Sequence, residues 1–226
     1  MYEYGECINR FIENLTNGSI FETEQVARAV AKKYGIELHH AKSVTNNQLK
    51  RLTDAGHIDR IQKGVYYKTP NTVSGKVLPN LEAYAIQLLT IQNQQRIGYV
   101  TGATFMNQIG LTTQIPKQIE IVSNQYRRTL PDGCHVQAKR PPVQINADNY
   151  KYLQLLDAVQ TLEENNIDAE DSYEIIRRAA QAKEIAPLIL IGHARQHYPI
   201  KTLLKTIDIF TEVKMKPYED TDTVQS

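Results

Sequence analysis

The sequence predicts an α+β protein in two domains: a helix-rich N-terminal part closing in a pair of strands, and a mixed C-terminal part of helix, β-hairpin and helical bundle. Three observations carry this. Between Phe21 and Lys68 two helical patterns are followed by Gly56, a strand-like run His57-Ile-Asp-Arg-Ile61, a polar turn Gln62-Lys-Gly64 and a second strand Val65-Tyr-Tyr-Lys68. Thr69-Pro-Asn-Thr-Val-Ser-Gly75 is dense in turn residues and sets a boundary between domains at 1–70 and 77–226. From Tyr150 onward every pattern has helical period.

Residues 6 to 15 place Ile8, Phe11, Ile12 and Leu15 at helical spacing, a first helix that stops near Asn17-Gly18. Ser19-Ile-Phe21 is a short extended lead-in. Thr23 is the expected N-cap of a helix from Glu24 to Tyr34, whose early acid and late Lys32-Lys33 suit the helix dipole, and Gly35 closes it. In the next helix, Lys42 to Ala55, the apolar residues Ala41, Val44, Leu49, Leu52 and Ala55 share one arc. The opposite arc holds Lys42, Ser43, Asn46, Asn47, Lys50 and Thr53, side chains suited to base edges and phosphates in a major groove. Arg51 lies nearer the core margin, so it is expected to reach sideways to a phosphate or an acid.

Helix, helix and hairpin in this order form the grammar of a winged helix-turn-helix, with Arg60 and Lys63 at the wing tip. Residues 28 to 68 carry nine Lys/Arg against three acids, although the whole chain has a net charge of only +1. A polar helix face beside a locally basic wing is the footprint of a binder of double-stranded DNA. Winged helices also dock proteins, so a docking or RNA-facing role stays open.

In the second domain Asn80 caps a helix with Leu81, Tyr84, Ala85, Leu88 and Leu89 on one face, running to about Asn93. Tyr99-Val100 is strand-like, Thr101 is placed to cap a brief helix Ala103 to Ile109, and Gly110 sits at the left-handed C′ position with Leu111 behind it. The glycines at 98, 102 and 110 lack the spacing of a phosphate loop and are expected to serve tight backbone packing. Gln118 to Ser123 alternates as a half-buried strand, Arg127 to Gly133 turns, and Cys134 to Ala138 returns, which predicts a hairpin with a basic loop. Its cations Arg127, Arg128, Lys139 and Arg140 suit a phosphate backbone, RNA or an acidic partner; plain solvation is the simpler reading. Helices follow at 151–164, 172–184, about 187–197 and 200–211, the last with Ile200, Leu203, Leu204, Ile207 and Phe210 on one stripe. Pro217 to Ser226 is expected to be a polar, frayed tail.

Composition bounds the function. With 41 % hydrophobic and 23 % charged residues the chain is ordinary for a globular protein, which argues against disorder. It has no apolar run of membrane-spanning length, and the N-terminus MYEYGECINRF is acidic and mixed, so a cytoplasmic protein without a membrane partner is expected. Cys7 and Cys134 show no paired spacing, which points to half-buried thiols and neither a disulfide framework nor a zinc site. His193 and His197 stand at i and i+4 with no third ligand in view, and Cys134-His135 would point to opposite faces of a strand. The pairs Glu163-Glu164 and Glu170-Asp171 read as solvated charge or caps. The expectation is a protein that is not an enzyme, with no catalytic residues, metal or cofactor.

Two stretches, Arg60-x-x-x-Gly64-Val-Tyr66-Tyr67 and Val100-Thr-Gly-Ala-Thr-Phe-Met-Asn-Gln-Ile-Gly-Leu-Thr-Thr-Gln-Ile-Pro116, resemble the AbiEi family up to about residue 143. That family is the antitoxin and repressor half of bacterial abortive-infection, type IV toxin-antitoxin operons. The resemblance implies an antitoxin that binds inverted repeats in its own promoter through the winged helix. It also implies a C-terminal domain that counteracts a nucleotidyltransferase-like toxin, without needing a stable complex, from a monomer or a weak dimer on DNA. This chain departs from the family pattern in its recognition helix, which carries Asn46, Asn47 and Lys50 where an arginine-rich face is usual. The rival readings are a plain regulator whose second domain dimerises or senses a ligand, and an accessory protein that uses the winged helix for docking.

Overall fold

A computed structural model describes residues 2–70, 77–162, 169 and 171–211. The fold is α+β, in two compact units: Met1–Tyr84 with Thr129–Cys134, and Ala85–Arg128 with His135–Ser226. The division falls at Tyr84, where the turn-rich stretch had suggested 70–77. Thr69, the first residue of that stretch, donates its hydroxyl to Asp59 at 2.6 Å. Residues 71–76 lie outside the described residues.

The first unit begins with α1 (Tyr2–Glu13), β1 (Ile20–Glu22), α2 (Thr23–Tyr34) and α3 (Leu38–Asp54). It continues with β2 (Asp59–Gln62) and β3 (Val65–Tyr67). Ile8 and Ile12 of α1, Val26, Ala27 and Val30 of α2, and Ala41 and Leu49 of α3 meet in one core with Phe21, Ile58 and Tyr66. Because side chains recur at about 100° along a helix, this burial leaves the opposite face of α3 in water. Glu22, and not Thr23, caps α2: its N–H donates to Gln25 Oε1 at 3.2 Å, while the Thr23 hydroxyl is buried without a partner in the structure. The strand predicted from His57 starts at Asp59, because the N–H of His57 donates to Leu52 O and that of Gly56 to Thr53 O, both at 3.0 Å. These two bonds are consumed in terminating α3. The sheet is antiparallel in the order β1-β3-β2, with Phe21 stacked on Tyr66 at 5.9 Å.

Spanning the division is α4 (Leu81–Thr90), opened by Asn80, whose side chain accepts from Ala83 N at 2.8 Å. The helix stops three residues before the expected end. Asn93 and Gln94 adopt φ of 49° and 63°, forming the two-residue turn of a small hairpin of β4 (Ile91–Gln92) and β5 (Gln95–Arg96).

A second sheet combines β6 (Gly98–Thr101), β7 (Ile119–Ser123) and β8 (Val136–Lys139) in the order β6-β7-β8. The β-hairpin predicted over 118–138 is not formed. Strand β8 runs parallel to β7, pairing Ile119 with Val136 and Val122 with Lys139, while β6 is the antiparallel neighbour. Parallel pairing needs a crossover of about a dozen residues, and 124–135 supply it. At Gly98 a Cβ would run into the carbonyl oxygens of Leu89 and Val122, so only glycine lets these backbones approach.

The helices α5 (Gly102–Ile109), α6 (Tyr150–Thr161), α7 (Ser172–Ala182), α8 (Pro187–His197) and α9 (Ile200–Phe210) complete the second unit. Phe105, Leu155, Leu156, Val159, Ile176, Leu190 and Ile209 form its larger core. Tyr99, Val122, Ile145 and Leu153 join sheet to α6. Asp171 caps α7, accepting from Glu174 N at 3.2 Å. Glu163, Glu164 and Glu170, and the tail from Pro217, lie outside the described residues. Among the described residues no helix is long and apolar enough to cross a membrane.

Candidate functional site

Helix α3 sets out the residues singled out for DNA. Ser43, Asn46, Asn47, Lys50 and Arg51 are all exposed. Lys42 is half-buried and paired: its ammonium lies 3.0 Å from Glu24 Oε2, and Arg28 sits on the other oxygen at 2.7 Å. The Lys42 hydrogen bond, with that of Arg28, holds the Glu24 carboxyl below the usual carboxylate range. Thr53 is withdrawn too, its hydroxyl donating to Leu49 O at 2.9 Å. Lys63 is exposed in the β2–β3 turn, whereas Arg60 lies within β2 and donates to Gln62 O at 3.3 Å.

Arg127, Arg128, Lys139 and Arg140 were expected around one hairpin loop. With β7 and β8 parallel, they line two separate depressions. Arg127 and Arg128 border one with Asn124, Gln125 and Tyr126; Arg127 lies 5.3 Å from the Tyr126 ring centre, and Arg128 bonds Gln125 Oε1 at 2.9 Å. Lys139 and Arg140 border the other, where Lys139 pairs with Glu120 at 2.9 Å.

That second depression is a cavity of about 500 Å³ between the β6-β7-β8 sheet, α6 and the α8–α9 corner. Asp157 is one of its lining residues. The Tyr99 and Thr101 hydroxyls donate to Oδ2 at 3.0 and 3.1 Å, and the Tyr198 hydroxyl lies 2.6 Å from Oδ1. Burial raises the Asp157 carboxyl above its ordinary range, opposed by the Tyr198, Tyr99 and Thr101 hydrogen bonds and by Lys139. Burial, then the Asp157 charge, also pushes both tyrosine hydroxyls up. Thr101, expected to cap α5, has no side-chain capping bond because its hydroxyl serves Asp157.

The chain belongs to a family of unknown function, DUF6088. The family's profile matches residues 8–185, which runs from the second half of α1 through α7 and therefore takes in Asp157, Tyr99, Thr101 and the exposed face of α3. Tyr198 and α8–α9 follow the region matched to DUF6088. No curated protein matches the chain.

His193 and His197, flagged by their i, i+4 spacing, have ring centres 5.9 Å apart, and His193 lies 5.2 Å from Tyr152. Burial, and then His197, lowers the His193 pKa. Among the described residues no three His, Cys, Asp or Glu side chains group as a metal site. Asp157 escaped the sequence reading, yet it left a signal: a lone carboxylate on a helix where Leu153, Leu155, Leu156, Ala158 and Val159 are all buried.

Proposed function

We propose that the N-terminal unit is a winged helix that binds duplex DNA, and that the protein is the antitoxin and autorepressor of an AbiEi-like operon. The observation that carries the first half is the exposed row Ser43, Asn46, Asn47 and Lys50 on α3, together with an exposed Lys63 in the β2–β3 turn. Three helices and a β1-β3-β2 sheet, with β2 and β3 following α3 in the chain, suit insertion of α3 into a major groove, with the β2–β3 turn against the backbone. Asn and Lys at these positions pair with adenine and guanine edges, while Lys63 meets phosphate. The antitoxin half rests on the resemblance over Val100–Pro116, and Arg127 and Arg128 are its favoured contact surface.

The test is anisotropy of a promoter duplex with the full chain. Binding should weaken steeply with salt, by a log-log slope of about −0.9 for each phosphate neutralised. Lys50→Ala or Asn46→Ala should cost about 1–3 kcal/mol and relax sequence preference, whereas Lys63→Ala should weaken all duplexes alike. A flat salt response, or loss of specificity on changing Lys63 alone, removes the assignment of α3. Co-expression with a neighbouring nucleotidyltransferase gene, scored by growth, tests the second half. Reversing charge at Arg127 and Arg128 should abolish rescue, and undiminished rescue rejects that surface.

A further inference from the structure

The cavity beside Asp157 is lined wholly by residues of the second unit. Its lining side chains divide by whether their charge is already answered. Asp157 receives three hydroxyl donors, so it has little call for a cation. Glu120 is paired with Lys139. Gly102, with φ of +62°, allows this: a Cβ there would collide with the Glu120 carboxylate in its observed position. What remains is Arg140, exposed on the rim with no ion-pair partner among the described residues. Pro141 and Pro142 follow it directly and restrict the backbone that carries the guanidinium. Arg140 is the lining ion without a hydrogen-bonded or ionic partner among the described residues, so the group that complements it is an anion.

Size and walls refine its class. A cavity of about 500 Å³ falls within the range of sites for small organic molecules and exceeds what an inorganic oxyanion fills. Pro141, Pro142, Pro199, Val122 and the His197 and Tyr198 rings supply flat or apolar surface, while Gln160 offers an amide. We propose that this cavity binds a small phosphorylated organic molecule, with its phosphate on Arg140 and its body between the prolines and the Tyr198 corner. Guanidinium matches phosphate through paired N–H donors, and Lys139 is close enough to share the charge by loosening from Glu120.

The experiment uses the purified full chain at constant ionic strength, with adenosine monophosphate, glucose 6-phosphate, inorganic phosphate and adenosine as probes. Thermal unfolding reads stabilisation, and calorimetry reads affinity. At least one organic phosphate should raise Tm saturably and bind more tightly than inorganic phosphate, while adenosine should bind at least tenfold more weakly than adenosine monophosphate if the latter is the one retained. Arg140→Ala should reduce affinity about tenfold or more, with Arg140→Lys intermediate and a change at the exposed Lys32, Lys32→Ala, without effect. Arg140 is exposed, so these variants should fold, which their unliganded Tm checks. If no probe gives a saturable shift, or Arg140→Ala binds as well as wild type, the proposal is overturned. Equal affinity for inorganic and organic phosphate overturns the organic body.

Discussion

Glu24 and Asp157 are both carboxylates that join one helix to something else, and they do so under opposite conditions. Glu24 sits at the start of α2, half in water, with Arg28 and Lys42 on its two oxygens. Asp157 sits within α6, surrounded by buried apolar residues, and is held by hydroxyls from β6 and the α8–α9 corner. Two cations in solvent stabilise a charge that water would have stabilised nearly as well, so the pair of bridges contributes little. Three neutral donors stand where water has been removed, and each becomes costly to lose. The first arrangement orients a surface; the second fastens a core to the wall of a cavity.

The sharpest way to break the comparison is to delete each carboxylate. Asp157→Ala should cost about 3 kcal/mol in urea unfolding, because it strands the Tyr99, Thr101 and Tyr198 hydroxyls. Glu24→Ala should cost no more than about 1 kcal/mol. Equal losses would mean that burial is not what separates the two. Next in size, Tyr198→Phe should cost about 1–1.5 kcal/mol, since its hydroxyl also lies 3.0 Å from Leu153 O.

Acidity then distinguishes the two by sign. The Glu24 pKa is depressed in the folded protein, so its contribution is present above the unfolded value and is lost as pH falls through the folded one. The Asp157 pKa is raised, so its contribution is full below the unfolded value and is lost as pH rises through the folded one. Urea midpoints from about pH 3 to pH 8 should show wild type losing ground to Glu24→Gln on acidification and gaining on Asp157→Asn. Parallel trends would break the contrast. The smallest effect is expected for Lys42→Met, within about 0.5 kcal/mol of wild type, while the Glu24 carboxyl, followed by NMR, moves back toward its ordinary range.

What the residues disclosed in advance follows the range of the interaction. Helices α1 and α3 of the first unit were legible because Ile8, Phe11, Ile12 and Leu15, and then Ala41, Val44, Leu49 and Leu52, recur at helical spacing, a local signal. The exposed row on α3 was legible for the same reason. The end of α4 was not, because the left-handed pair Asn93-Gln94 carries no glycine to announce it. The direction of β8 was also hidden: alternation shows a strand but not the sense in which it pairs, and 124–135 read equally as a loop or a crossover. The Asp157 site needs Tyr99 and Tyr198, 58 and 41 residues away, and no periodicity connects them. The pairing of Lys42 with Glu24 was not legible either, because Glu24 belongs to the preceding helix.

The segment Thr129–Cys134 belongs to the first unit although 44 residues of the second precede it. During synthesis the first unit is therefore incomplete when Tyr84 leaves the ribosome. Its last piece emerges only after α4, α5 and β7 have been made, on the order of several seconds later at ordinary elongation rates. For that interval Leu81 O lacks the thiol of Cys134, which lies 3.5 Å from it in the finished fold. A nascent chain arrested before residue 129 would display helices α1 to α3 without the last segment of their unit.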